Sequence, residues 1–180
     1  MLVVNGIYLI PITVPVLSPD RFLEYARTLP FKLPVNEHAH ARAALPQWYA
    51  DQFGWREYAD EAAVVWSRIP ANERQDCGIF AQSYGQAGSI DFFDRAQGLP
   101  PVMSGDRSYF LWGPHGYSGN CMIVLDDRRE ILERYWQNVE LAGTSARNPW
   151  ALAGPVDFFV CKGKKFNSWA EVWPRLKRWR

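Results

Sequence analysis

Residues 77–116 read CGIFAQSYGQAGSIDFFDRAQGLPPVMSGDRSYFLWGPHG, and they carry the strongest structural signal in the chain. Cys77-Gly78-Ile79-Phe80-Ala81 is an apolar run with the length and composition of a buried strand. It breaks at Ser83-Tyr84-Gly85-Gln86, after which Ile90, Phe92 and Phe93 supply the apolar residues of an amphipathic segment. Gly98 and Pro100-Pro101 stop that segment, and a second short run, Val102-Met103, ends in Ser104-Gly105-Asp106. Strand, turn, helix, stop, strand and turn is the order of a βαβ unit. Ligands of open α/β sheets sit beyond the carboxyl ends of the strands. Both polar turns fall at such ends, so a site is expected there.

Working outward, Cys121-Met122-Ile123-Val124-Leu125 reads as a buried strand. Asp126 or Asp127 is expected to cap a helix that turns Ile131, Leu132, Tyr135 and Trp136 inward. Residues 139–142 and 157–161 read as further strands, separated by a loop at Asn148-Pro149. Ser168-Trp169-Ala170-Glu171 has capping-box spacing and opens a final helix that Pro174 should kink or restart. Upstream, Tyr58, Ala62, Val65, Trp66 and Ile69 recur at helical spacing. The whole predicts an α/β protein: a single Rossmann-like layered domain over residues 46–180 with a mostly parallel sheet.

Residues 2–17, LVVNGIYLIPITVPVL, are uncharged but contain two prolines, and they fall short of the roughly 20 apolar residues a spanning helix needs. A packed N-terminal strand is one reading. The truncated end of a transmembrane helix, over residues 1–17, is the favoured one, because the prolines suit a membrane exit and would disrupt a central strand. Residues 18–45 read as a linker that starts with a short helix and becomes rich in proline. His38 and His40 fall there without a visible third ligand, so an exposed linker is expected rather than a metal site.

A net charge of +1 leaves no global field to recruit nucleic acid. The aromatic share of 15%, with nine Trp, is unusual; core packing is the default for most of these rings, although Trp and Tyr also line sugar-binding and membrane-interface surfaces. Cys77, Cys121 and Cys161 lack CxxC spacing and are expected to be buried, inert thiols, with one disulfide left open for a domain outside the cytoplasm. No catalytic constellation stands out, and no metal or cofactor is expected.

The two turns supply the candidate ligand residues. Gly85 permits close backbone approach at a helix start, where free N–H groups can bind an anion. The segment from Ser104 to Pro114 mixes Tyr, Trp, Gly and a carboxylate in what reads as a long loop, a combination that can stack on a sugar ring and bind its hydroxyls. Tyr84, Gly85, Gln86, Ser104, Asp106, Tyr109 and Trp112 are therefore the predicted ligand-binding set.

The blocks LPQWYADQFGW, IPANER, IFAQSYGQAGSIDFF, GLPPVMSG, YFLWGP and WPRLKRW, in that order, resemble the C-terminal extracytoplasmic domain of bacterial membrane glycosyltransferases of family 39. These are relatives of protein O-mannosyltransferases and of the aminoarabinose transferase that modifies lipid A. The resemblance implies a transferase that uses a polyprenyl-phosphate-linked sugar donor. It also implies a periplasmic location beside a membrane, where a donor sugar or a glycan acceptor is the partner. The family's acidic catalytic motif lies many membrane helices upstream, so this domain is expected to recognise rather than transfer. Two departures stand out: the family usually carries an acidic residue where Gln86 stands and a His-Asn pair where Asp106-Arg107 stand. Two other functions are open to the sequence: a freestanding domain that binds a phosphorylated or nucleotide ligand at the Gly85 turn, and a structural domain that packs on a membrane partner.

Overall fold

A computed structural model describes residues 2–33, 44–93 and 98–179. The chain divides into two compact units, one of residues 1–54 with 148–154, the other of residues 55–147 with 155–180.

In the first unit, residues Leu2–Thr13 form a helix, α1, with Pro11 inside it, rather than a strand. Pro19–Arg27 form α2 and Gln47–Ala50 form α3. Phe22 of α2 is the buried hub, its ring 4.9 Å from that of Tyr49. The Tyr25 hydroxyl donates to the Tyr8 carbonyl at 2.7 Å, and that of Tyr49 to the Leu17 carbonyl. No helix among the described residues is long and apolar enough to cross a membrane. His38 and His40 lie outside the described residues.

The second unit is built on a five-stranded sheet. Its strands are β1 (Cys77–Phe80), β2 (Val102–Met103), β3 (Cys121–Leu125), β4 (Trp136–Thr144) and β5 (Asp157–Lys164), in the order β2-β1-β3-β5-β4. The βαβ unit is present as read: β1 runs through α5 (Tyr84–Phe93) to β2, and the strands pair in parallel, Ile79 with Val102. β3 also pairs in parallel with β1. Beyond β3 the expectation of a mostly parallel, Rossmann-like sheet fails. The two longest ladders, β3 with β5 and β4 with β5, are antiparallel. The reason is the connections. A parallel neighbour needs a crossover of a dozen or more residues. After β3, however, α7 is a single turn (Arg129–Leu132), and β4 and β5 fold back on each other as a hairpin.

Trp136 therefore opens β4 instead of ending a helix, although it is buried as expected. The stretch after β2 is likewise no plain loop, since Arg107–Trp112 form a short helix, α6. The last helix does restart at Pro174: α8 (Trp169–Val172) passes into a 3-10 turn over Trp173–Leu176. Ser168 makes no capping bond with its side chain, and the Asn167 N–H donates instead to the Glu171 carboxylate at 3.3 Å.

Alternation along the strands builds two cores, one on each face. Cys77, Ile79, Ile123, Leu125 and Phe158 pack with Tyr58, Ala62 and Val65 of α4 (Trp55–Ser67) and with Ile90 of α5. Phe80, Met122, Val124 and Phe159 pack on the other face with Trp136, Trp169 and Trp173. Phe92, expected to face inward, is exposed, as is Trp179.

Cys77 and Cys121 are paired residues of β1 and β3 and form a disulfide, which corrects the expectation of three free thiols. The signal was non-local, because two apolar runs 44 residues apart had to be placed in register. Cys161 is buried and free, and burial pushes its thiol up to about 12.

Candidate functional site

The connection from β1 leads to β2 on one side of the sheet, whereas β3 is followed by the β4–β5 hairpin on the other. The carboxyl ends of β1 and β3 therefore flank a topological switch point, where open sheets leave a crevice. Polar residues collect there. Gln82, just after β1, donates from Nε2 to Asp127 Oδ2 at 2.6 Å, just after β3. Gln86 Nε2 donates to Asp126 Oδ2 at 2.8 Å. The Tyr84 N–H donates to Asp106 Oδ2 at 3.2 Å, so the two turns singled out in the sequence meet at one rim. The Arg107 guanidinium lies 5.1 Å from the centre of the Tyr84 ring.

The C-terminal segment closes this rim from outside. The Arg178 N–H donates to the Gly105 carbonyl at 2.8 Å, and the Arg107 N–H to the Arg178 carbonyl at 3.0 Å. A Cβ on Gly105 would overlap the Leu176 carbonyl, so glycine is required for this close approach. Among the described residues, positive φ at non-glycine positions occurs at Arg107, His115 and Asp126, with Arg107 and Asp126 just past the ends of β2 and β3. Such conformations cost of order 1–3 kcal/mol each and cluster at functional sites.

The predicted residues divide into three groups. Tyr84 and Asp106 are at the rim, with Tyr84 half exposed. Gln86 and Ser104 are buried and serve the turns themselves. Ser83 and Gln86 form a capping box, Ser83 N–H to Gln86 Oε1 at 3.1 Å and Gln86 N–H to Ser83 Oγ at 3.3 Å. Ser104 Oγ accepts from the Asp106 N–H at 3.2 Å. Gly85 makes room for a neighbour rather than a ligand, since a Cβ there would stand 2.8 Å from the Trp55 ring. Tyr109 and Trp112 sit away from the rim, with ring centres 4.5 Å apart. The Tyr109 hydroxyl donates to Asp91 Oδ2 at 2.8 Å, and exposed Trp112 lines a cavity of about 250 Å³ with Asp91 and His115.

Four rim residues had no place in the predicted set: Gln82, Asp126, Asp127 and Arg178. The acidic pair was expected to cap a helix, but the residue before α7 is Arg128, and the carboxylates reach back to Gln82 and Gln86 instead. Capping is a local preference, whereas these partners lie 40 and 45 residues away. The Ser83-x-x-Gln86 spacing was the one local clue that Gln86 is structural.

Burial raises the Asp127 pKa, and the Arg128 N–H bond and the nearby Arg178 charge act in the opposite direction. A folded-state pKa above the unfolded one means that the folded protein binds this proton more tightly. The resulting stabilisation is complete below the ordinary aspartate range and is lost as pH rises through the raised value. Urea unfolding against pH should therefore show the native protein losing stability relative to Asp127→Asn as pH rises from about 4. A difference that stays constant with pH overturns this account.

Among the described residues, no group of three or more His, Cys, Asp or Glu side chains could hold a metal ion. No family model, curated protein or solved structure matches the chain.

Proposed function

We propose that the chain is the ligand-recognition domain of a membrane glycosyltransferase that uses a polyprenyl-phosphate-linked sugar donor, on the extracytoplasmic side, and that it does not transfer sugar by itself. The observation that carries the reading is the rim where Tyr84 and Asp106 meet beside the Gln82–Asp127 pair. Carboxylates and amides with an exposed tyrosine are the groups that bind and stack on a pyranose. The family resemblance in six ordered blocks adds the donor class and the membrane setting. The Cys77–Cys121 disulfide supports an oxidising compartment such as the periplasm.

An anionic ligand at the Gly85 turn is disfavoured by the same geometry. The Asp106 carboxylate already accepts the Tyr84 N–H, and Ser83 the Gln86 N–H, where a phosphate would bind. A second reading, a domain that packs on a membrane partner, is favoured by the exposed side chains of Phe92, Leu111 and Trp112.

Titrating the full chain with free hexoses and with a short isoprenyl phosphate, followed by amide NMR, tests the proposal. Shifts gathered at Tyr84, Asp106 and Asp127 are expected. Shifts that avoid both turns overturn it, and shifts confined to Phe92, Leu111 and Trp112 favour the packing surface.

A further inference from the structure

On the face of the sheet away from α4 and α5, directly below the switch point, lies a cavity of about 130 Å³. Phe80 of β1 and Val124 of β3 line it from the sheet, and Trp136 and Trp169 from the side. Both indole N–H groups are spent elsewhere, Trp136 on the Gly119 carbonyl at 2.8 Å and Trp169 on that of Tyr117 at 2.7 Å. The two indoles therefore offer the cavity ring surface only. Gln82, Asp127 and Arg178 line it as well, so one end of a largely apolar chamber carries a carboxylate, an amide and a guanidinium, and Tyr135 adds a neutral phenol to the lining. An apolar interior with a few convergent polar groups, at the sheet's switch point, is the usual form of a small-molecule site.

We propose that this cavity binds a small molecule with one ring-sized apolar group and a neutral hydroxyl or carboxamide head. The volume sets the apolar part, since a dry cavity of ~150 Å³ holds benzene. The polar end sets the head. An anionic head would face Asp127, a cationic head would face Arg178, and the two charges together favour neither. A hydroxyl or carboxamide can donate to Asp127 and accept from Arg178 at once. Burial raises the Asp127 pKa, consistent with a carboxylate partly withdrawn from water, whereas Arg178 is exposed. This inference stands on the cavity and does not depend on the sugar-binding reading.

The test uses the full chain with methyl groups labelled for NMR, and benzyl alcohol, benzoate and benzylammonium as probes. Benzyl alcohol is expected to shift the methyls of Val124, Ile131, Leu132 and Val172, with the charged probes binding about tenfold more weakly because a charged head is desolvated with no net attraction from the Asp127 and Arg178 pair. Ile131→Trp, at a half-buried lining position, is expected to abolish these shifts. Asp127→Asn leaves Arg178 in place and should raise benzoate affinity about tenfold. Benzyl alcohol shifts that miss these methyls, or survive Ile131→Trp, overturn the cavity as the site. Benzoate that binds the native protein as well as benzyl alcohol does, or gains nothing from Asp127→Asn, overturns the neutral head. Hexose shifts at Tyr84 and Asp106 are read separately, so either proposal can fail alone.

Discussion

Reducing the Cys77–Cys121 disulfide, or replacing both cysteines by alanine, is expected to cost about 4 kcal/mol of stability, the chain-entropy value for a loop of this length. The two residues are 44 apart, and between them lie α5, β2 and α6, so the bond closes a loop around the whole βαβ unit. Because Cys77 and Cys121 are in register at the start of adjacent parallel strands, the native pairing and the bond reinforce each other. Parallel strands have no hairpin to hold them together, and closing a long loop is the entropic cost that slows and weakens such pairing. The third cysteine offers no rescue by exchange. Cys161 packs on the opposite face with Met122, and a thiol with a pKa of about 12 supplies almost no thiolate at neutral pH. Urea unfolding with and without reductant measures the effect. A midpoint unchanged by reductant, in protein whose thiols are shown to be free, would remove the disulfide from the account of stability and weaken the argument for an oxidising compartment.

The same geometry explains which parts of the molecule were legible in the sequence. The βαβ unit was readable because its boundaries are marked locally, by the Ser83–Gln86 turn and by Gly98 with Pro100-Pro101, and because its strands are uniformly apolar. The direction of β5 was not readable. The run Cys121–Leu125 is buried on both faces, and such a run is equally compatible with a parallel or an antiparallel neighbour. What decides the direction is the β4–β5 hairpin, whose first residue, Trp136, has the burial expected of a helix face as well as of a strand. At the site, the meeting of Tyr84 with Asp106 followed from βαβ topology alone. The links from Gln82 to Asp127 and from Gln86 to Asp126 required knowing that β3 lies beside β1, which no local pattern states. For the same reason Gln86 and Ser104 looked like ligand groups. Their turns were identified correctly, but whether a polar side chain in a turn faces outward or holds the turn together depends on packing from the rest of the chain.

Gln86→Glu is the substitution that tests the rim most sharply, because it places a carboxylate where the proposed glycosyltransferase reading expects one and sets it against Asp126. Gln86 is only 6% exposed, and its two ends do different work. Oε1 accepts the Ser83 N–H in the capping box, a role that a glutamate fills equally well. Nε2 donates to the exposed Asp126, and a carboxylate there would turn a part-buried hydrogen bond into a contact between like charges. The loss expected at neutral pH is about 3 kcal/mol, combining the desolvation of a carboxylate at the buried position 86 with the repulsion. Its pH dependence identifies the cause. The introduced carboxyl should have a folded-state pKa above its unfolded value, so it is tolerated at low pH, where its proton can still be donated to Asp126. Stability then falls as pH rises from the unfolded value through the folded one, and the deficit is constant above that. The double variant Gln86→Glu with Asp126→Asn should recover most of the loss, because the new amide can donate to the new carboxylate. Asparagine also tolerates the positive φ of 57° at position 126. Urea unfolding of the three variants between pH 4 and pH 8 (about the range spanned by an ordinary and a strongly raised carboxyl) provides the measurement. If the single variant is as stable as the native protein at neutral pH, the Gln86–Asp126 bond does not hold the rim, and an amide rather than a carboxylate at position 86 would carry no structural weight.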